Sequence, residues 1–255
     1  MDITFGTQWL IMVLLFTIRI FPVFILTPLL SITSVPSKIL IFWVFGLSVV
    51  MVGSGAKINS DLSFSFITLV SLALSELLVG LTFAFGLLTM FGAFHFGGRI
   101  LDVQMGFGVA TLIDPATNTQ APLIGTFLSM LAVIIFVSAG GLNLLIEGIA
   151  YSLNILPIGS SIWQLELSTI VTQFGAMFVF SLMIIAPAMI AILLLDIGIA
   201  VMARTMPQVN VFIISLPIKI FLGLFMMASS IKYLMPLLKN IFHSTFGYMD
   251  AAIGS

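Results

Sequence analysis

Apolar residues run along this chain in about six long blocks separated by short polar breaks. The first covers Trp9 to Leu30 and holds Arg19, Pro22 and Pro28; the second, Ile39 to Val52, follows Pro36 and Lys38. The third, Phe64 to Phe91, contains Glu76. The fourth, Pro122 to Val137, meets Gly140-Gly141 and resumes from Leu142 to Leu156 with Glu147 inside. The fifth, Ile170 to Ala203, holds Pro187 and Asp196; the sixth, Val211 to Leu238, holds Pro217, Lys219 and Lys232. A helix needs about 20 apolar residues to cross the hydrocarbon core. Ile39–Val52 falls short of that, as does each half of Pro122–Leu156 if the glycine pair breaks it. Short, broken or charged helices sit at membrane depth when protein rather than lipid surrounds them. The pattern therefore predicts an all-α integral membrane protein that is complete only inside an assembly.

Composition sharpens this reading. Apolar residues make up 61% of the 255, charged residues 7%, and the mean hydropathy is +1.31. Soluble domains carry roughly 25% charge. The formal net charge of -1 offers no basic field for nucleic acid and no polybasic tail for anionic lipid. With no cysteine, disulfides and thiol catalysis are excluded. The opening Met1-Asp2-Ile3-Thr4 lacks a basic n-region, so no removable signal peptide is expected. The closing Gly254-Ser255 carries no functional weight. Counting six spans, Lys38, Arg99 and Arg204 fall on one face and Lys57 and Lys239 on the other, too even a split to orient the chain.

The polar residues concentrate in two places. Gly97-Gly98-Arg99-Ile100-Leu101-Asp102-Val103-Gln104-Met105-Gly106-Phe107-Gly108 leads into Asp114-Pro115-Ala116-Thr117-Asn118-Thr119-Gln120. If helical, Arg99 and Asp102 share a face at i, i+3 and can pair, and the glycines permit close helix approach or unusual backbone. Gly106 to Gln120 reads as a loop, a gate or a plain interfacial turn, with Asp114-Pro115 a turn and Pro122 restarting a helix. The second cluster runs from Asp196 through Arg204, Pro207, Gln208 and Asn210 to Lys219. Asp196 and Arg204 lie roughly 80° apart around a helix, able to share a network without touching. A helix-end cap with a snorkelling lysine and an inter-subunit contact are both compatible with it.

Glu76 and Glu147 lie inside apolar runs, where a carboxylate is a buried hydrogen-bonding group or a proton relay, and Arg19 can serve as counter-charge to either. Met105, Met202 and Met206 beside the polar stretches suit a soft seal or ordinary packing. No zinc-protease pairing of His95 and His243, no nucleophile elbow and no phosphate loop appears, so neither an enzyme nor a metal site nor a cofactor is expected. Energy for any transport has to come from partners or the proton gradient.

The stretch Gly97–Gly106 with Asp114-Pro115, together with Asp196-Ile197-Gly198, Ala203–Phe212 and Leu216-Pro217-Ile218-Lys219, resembles the FliR/SpaR/YscT family of type III secretion export-gate proteins. The resemblance covers essentially the whole chain and leans to the flagellar branch. It implies bent, broken helical hairpins, with a FliP-like part over about 1–203 and a FliQ-like hairpin or tail over 204–255. It also implies a place in the bacterial inner membrane and the flagellar basal body. One copy would close a gate built with FliP and FliQ, served by FlhB and FlhA, for unfolded export substrates, with lipid around it and no nucleic acid. The loop mapping onto Gly106–Pro122 would be the channel plug. Gly106, Phe107, Gly108, Asp114, Pro115, Asn118, Gln120 and Pro122 would form it, and Arg99, Asp102 and Gln104 would anchor it. Asp196, Arg204, Pro207, Gln208, Asn210 and Lys219 would hold inter-helix or inter-subunit contacts. The alternative is a proton-coupled secondary transporter using Glu76, Glu147 and Asp196.

Overall fold

A computed structural model describes residues 6–29, 36–54, 65–107, 122–159, 167–206, 208 and 211–254. Seven helices appear among the described residues: α1 Thr7–Leu26, α2 Ser37–Gly53, α3 Phe66–Met105, α4 Leu123–Ser138, α5 Gly141–Ile155, α6 Leu167–Thr205 and α7 Val211–Gly254. Four of them are long and apolar enough to cross a membrane, five if the bent pair α4–α5 counts as one span. The six apolar blocks thus yield four or five spans, in line with the short and broken ones among them. The 17-residue α2 is too short, as its block length had suggested.

Local chemistry sets the boundaries. Helix α1 ends where Pro28 forces Thr27 into an extended conformation (φ -92°, ψ 152°), and α2 begins directly after Pro36. Between α4 and α5, Gly140 adopts a left-handed backbone (φ +79°) and the axis turns by 71°. The polar stretch after Phe91 does not end α3, which continues to Met105 for 40 residues, about 60 Å. The sixth block likewise continues beyond Leu238, so that α7 is one helix of 44 residues with Pro217 and Pro236 inside. At roughly 60 Å each, α3, α6 and α7 have about twice the length needed to cross a 30 Å hydrocarbon core.

The chain forms two compact units: residues 1–89, 133–173 and 244–255 make unit 1, and residues 90–132 and 174–243 make unit 2. In unit 1, α1 packs on α2, and Phe16, Ile20, Phe83, Leu87, Phe136 and Leu145 are core residues. In unit 2 the core holds Phe94, Leu101, Met105, Leu128, Ile185 and Ile192. Burial is uneven. The best apolar window of α3 is 67% buried, whereas those of α6 and α7 are only 28% and 17% buried. Leu193, Leu194, Ile213 and Phe221 accordingly project outward from the protein.

Candidate functional site

Unit 1 is organised around a cation. Arg19 on α1 and Glu76 on α3 are both fully buried and form a two-point ion pair, Nε to Oε2 at 2.5 Å and Nη2 to Oε1 at 3.1 Å. The guanidinium also donates through Nη1 to Ser152 Oγ (3.0 Å) and through Nη2 to the Leu156 carbonyl (3.0 Å). Glu76 Oε1 accepts a further bond from the Gly159 amide at 3.4 Å. One turn on, Gly80 lies against the α1 backbone, where an added Cβ would sit 2.1 Å from the Arg19 carbonyl oxygen. Glycine at 80 is what lets the two helices approach closely enough for the ion pair to form. Further along α3, Gln173 donates to the Thr89 hydroxyl at 3.0 Å, a second buried polar link, between α6 and α3.

Unit 2 contains the end of α3. Gly106 takes a left-handed backbone (φ +85°) and its amide bonds the Val103 carbonyl, while the Phe107 amide bonds the Asp102 carbonyl. This pair of bonds is the Schellman arrangement that closes a helix C-terminus. The Asp102 side chain faces the start of α4. Its two oxygens accept the amides of Ile124 (3.0 Å) and Gly125 (3.1 Å), groups left without helical partners at a helix start. Asp102 thus holds both flanks of residues 108–121. The predicted Arg99–Asp102 ion pair does not form: Arg99 is exposed and the carboxylate is spent on the helix start, which attracts a negative charge. Gly97 and Gly98 do mediate close approach. A Cβ at 98 would meet the Gly125 backbone at 2.4 Å, and one at 97 the Ser181 carbonyl at 2.9 Å.

The second polar cluster resolves into one contact. Asp196 on α6 pairs with Lys219 on α7 at 2.6 Å, both partly exposed. Arg204 and Gln208 are exposed, and neither an ion pair nor a hydrogen bond joins them to that pair among the described residues. Gln104 is exposed and Pro122 half-buried. Met105 is buried against Gly223, whereas Met202 and Met206 are exposed. Gly108, Asp114, Pro115, Asn118, Gln120, Pro207 and Asn210 lie outside the described residues. Of the two acids left open as partners for Arg19, Glu76 takes it and Glu147 is exposed on α5. Unit 1 also carries an open apolar recess of about 290 Å³ lined by Leu78, Phe85, Leu88 and Tyr248. Burial pushes the Tyr248 phenol up to about 12.

Sequence reasoning passed over Gly80, Ser152, Gln173 and the Leu156 and Gly159 backbone. One signal was available for Asp102. The start of α4 reads Ala121-Pro122-Leu123, without a capping side chain of its own, so an acceptor had to come from elsewhere.

Fold and polar network together define a multi-pass, all-helical membrane protein whose buried charges hold helices to one another. Residues 10–245 match the family described as bacterial export proteins, family 1, and the chain belongs to that family, the FliR/SpaR/YscT group. It is similar to the flagellar biosynthetic protein FliR of Bacillus subtilis (strain 168), 32% identical over 241 residues and 92% of each chain. It is also similar to FliR of Escherichia coli (strain K12), 27% identical over 249 residues, 95% of this chain and 94% of that one. The surface presentation of antigens protein SpaR of Shigella flexneri is 30% identical over 207 residues, covering 81% and 80%. The chain is a membrane component of the type III protein-export apparatus.

Proposed function

We propose that this chain is a non-enzymatic subunit of the flagellar export gate in the bacterial inner membrane, within the basal body. A single copy closes a helical channel made with FliP and FliQ and contributes the segment that plugs it. FlhB and FlhA couple this gate to unfolded substrates. The FliP-like part spans about 1–203 and the FliQ-like part 204–255. The observation that carries the plug assignment is the bracket at Asp102. One residue fixes the Schellman end of α3 through its carbonyl and the start of α4 through its carboxylate. Residues 108–121 therefore depart from and return to one anchored base, which is what a plug on a rigid frame requires. Arg99 and Gln104, exposed beside that base, are available to neighbouring subunits, as are Arg204, Gln208 and the Asp196–Lys219 pair.

The transporter reading has less to rest on. Glu76 is locked to Arg19 and Asp196 to Lys219, so neither is a free carboxylate for carrying protons. Deleting Gly106–Pro122 is expected to leave FliP and FliQ co-purifying with the chain and to make the membrane leaky to ions. Loss of the complex, or a complex that stays tight, refutes the plug.

A further inference from the structure

Helix α5 carries a polar stripe that neither the ion pair nor the gate reading uses. Asn143, Glu147, Tyr151 and Asn154 are all exposed. At 3.6 residues per turn they fall within about 80° of arc. The opposite side buries Leu145, Ile149, Ser152 and Leu153, and Ser152 there receives the Arg19 guanidinium. Leu144 and Ile155, also exposed, flank the stripe on one side.

Three observations bear on what meets it. Acyl chains would leave two carboxamides, a phenol and a carboxylate without hydrogen-bond partners, at a cost that keeps such groups off lipid-facing surfaces. Helix α5 has 15 residues, about 22 Å, and leaves the α4 axis at 71° through a left-handed glycine, so it does not itself span the core. Glu147 has no counter-charge among the described residues. Carboxylates of that kind are depleted from the cores of protein interfaces. We infer that the Asn143–Glu147–Tyr151–Asn154 face of α5 borders water in the native membrane, an aqueous wall set into the broken span, with Leu144 and Ile155 marking its apolar edge. This stands on α5 alone and is independent of the plug.

The absence of native cysteine makes the test direct. Single variants Asn143→Cys, Glu147→Cys, Tyr151→Cys and Asn154→Cys are treated, in membranes carrying the full apparatus, with a charged, water-soluble thiosulfonate. That reagent needs an ionised thiol and therefore water at the site. Ile149→Cys reports a buried position, and Leu193→Cys and Leu194→Cys an outward apolar one on α6. The stripe is expected to react about tenfold faster than either control set, with labelling after denaturation confirming each thiol. Stripe rates equal to those of Leu193→Cys and Leu194→Cys overturn the inference in favour of lipid. Slow reaction in membranes that becomes fast in the isolated chain overturns it in favour of a covering subunit. Co-purification of partners from the same membranes reads the gate proposal separately.

Discussion

Replacing Glu76 with glutamine is the most direct test of what holds unit 1 together. The substitution keeps the shape of the side chain and removes its charge. Arg19 is left 2% exposed with its bonds to Ser152 and Leu156 but with no anion. Breaking a buried ion pair from one side costs about 3–5 kcal/mol, because the surviving charge cannot be rehydrated. The guanidinium here has nowhere to go: Gly80 places α3 directly on the α1 backbone, and Phe16 lies against the cation. The upper part of the range is therefore expected. The matching apolar pair, Arg19→Met with Glu76→Leu, removes both charges together and should recover most of the loss. Reversible unfolding of the purified protein in mixed micelles gives the energies, and the steady-state amount in membranes gives the consequence, since about 1–2 kcal/mol already changes abundance several-fold. The reasoning fails if Glu76→Gln costs less than about 1 kcal/mol, the range of solvated surface pairs. It fails equally if the double variant is as unstable as both single losses combined.

Gly80→Ala and Gly98→Ala force a methyl into backbone atoms and should each destabilise by about 1–3 kcal/mol in the same unfolding measurement. Gly148→Ala and Gly175→Ala, with nothing within 4 Å, should be neutral or stabilising by up to about 1 kcal/mol. Asp102→Ala uncaps α4 at about 0.5–2 kcal/mol, with hydrogen exchange at the Ile124 and Gly125 amides rising first; Asp102→Asn, retaining one acceptor, should lose less. Asp196→Asn should cost under about 1 kcal/mol in the isolated chain, since the pair is partly exposed. It should nonetheless reduce recovery of partner subunits, and the swap Asp196→Lys with Lys219→Asp should restore it.

The helices were legible because hydrophobic blocks this long have no other stable form in a membrane. What the blocks did not reveal was where helices touch. Arg19 had two acids to choose from, and nothing within one chain says that α3, not α5, offers the carboxylate. Yet α5 contributes Ser152 to the same cation. Glycine illustrates the same limit. Close approach was a fair expectation at Gly97 and Gly98, where the backbone contacts bear it out, but Gly80 looks no different in sequence from Gly175, where an added Cβ would meet nothing. Asp102 shows how a local rule misleads. Arg99 was the obvious partner at i, i+3, but a helix start 22 residues ahead presents two unsatisfied amides at once and holds the carboxylate better than one mobile arginine.

The near-neutral charge of the chain conceals an uneven distribution. Unit 1 holds Arg19, Lys38 and Lys57 against six acidic residues, a net of -3, and unit 2 holds five basic residues against Asp102, Asp114 and Asp196, a net of +2; together they give the chain's -1. Within unit 2 the described acids are already engaged, Asp102 by amides and Asp196 by Lys219. Arg204 remains exposed in the last turn of α6, where the C-terminal end of the helix dipole favours a cation. Arg99 is exposed near the end of α3. Lys232 rests over the Tyr233 ring, which attracts a cation without neutralising it. Cations therefore outnumber acids on the exposed described surface of unit 2, a surface suited to acidic partners rather than basic ones.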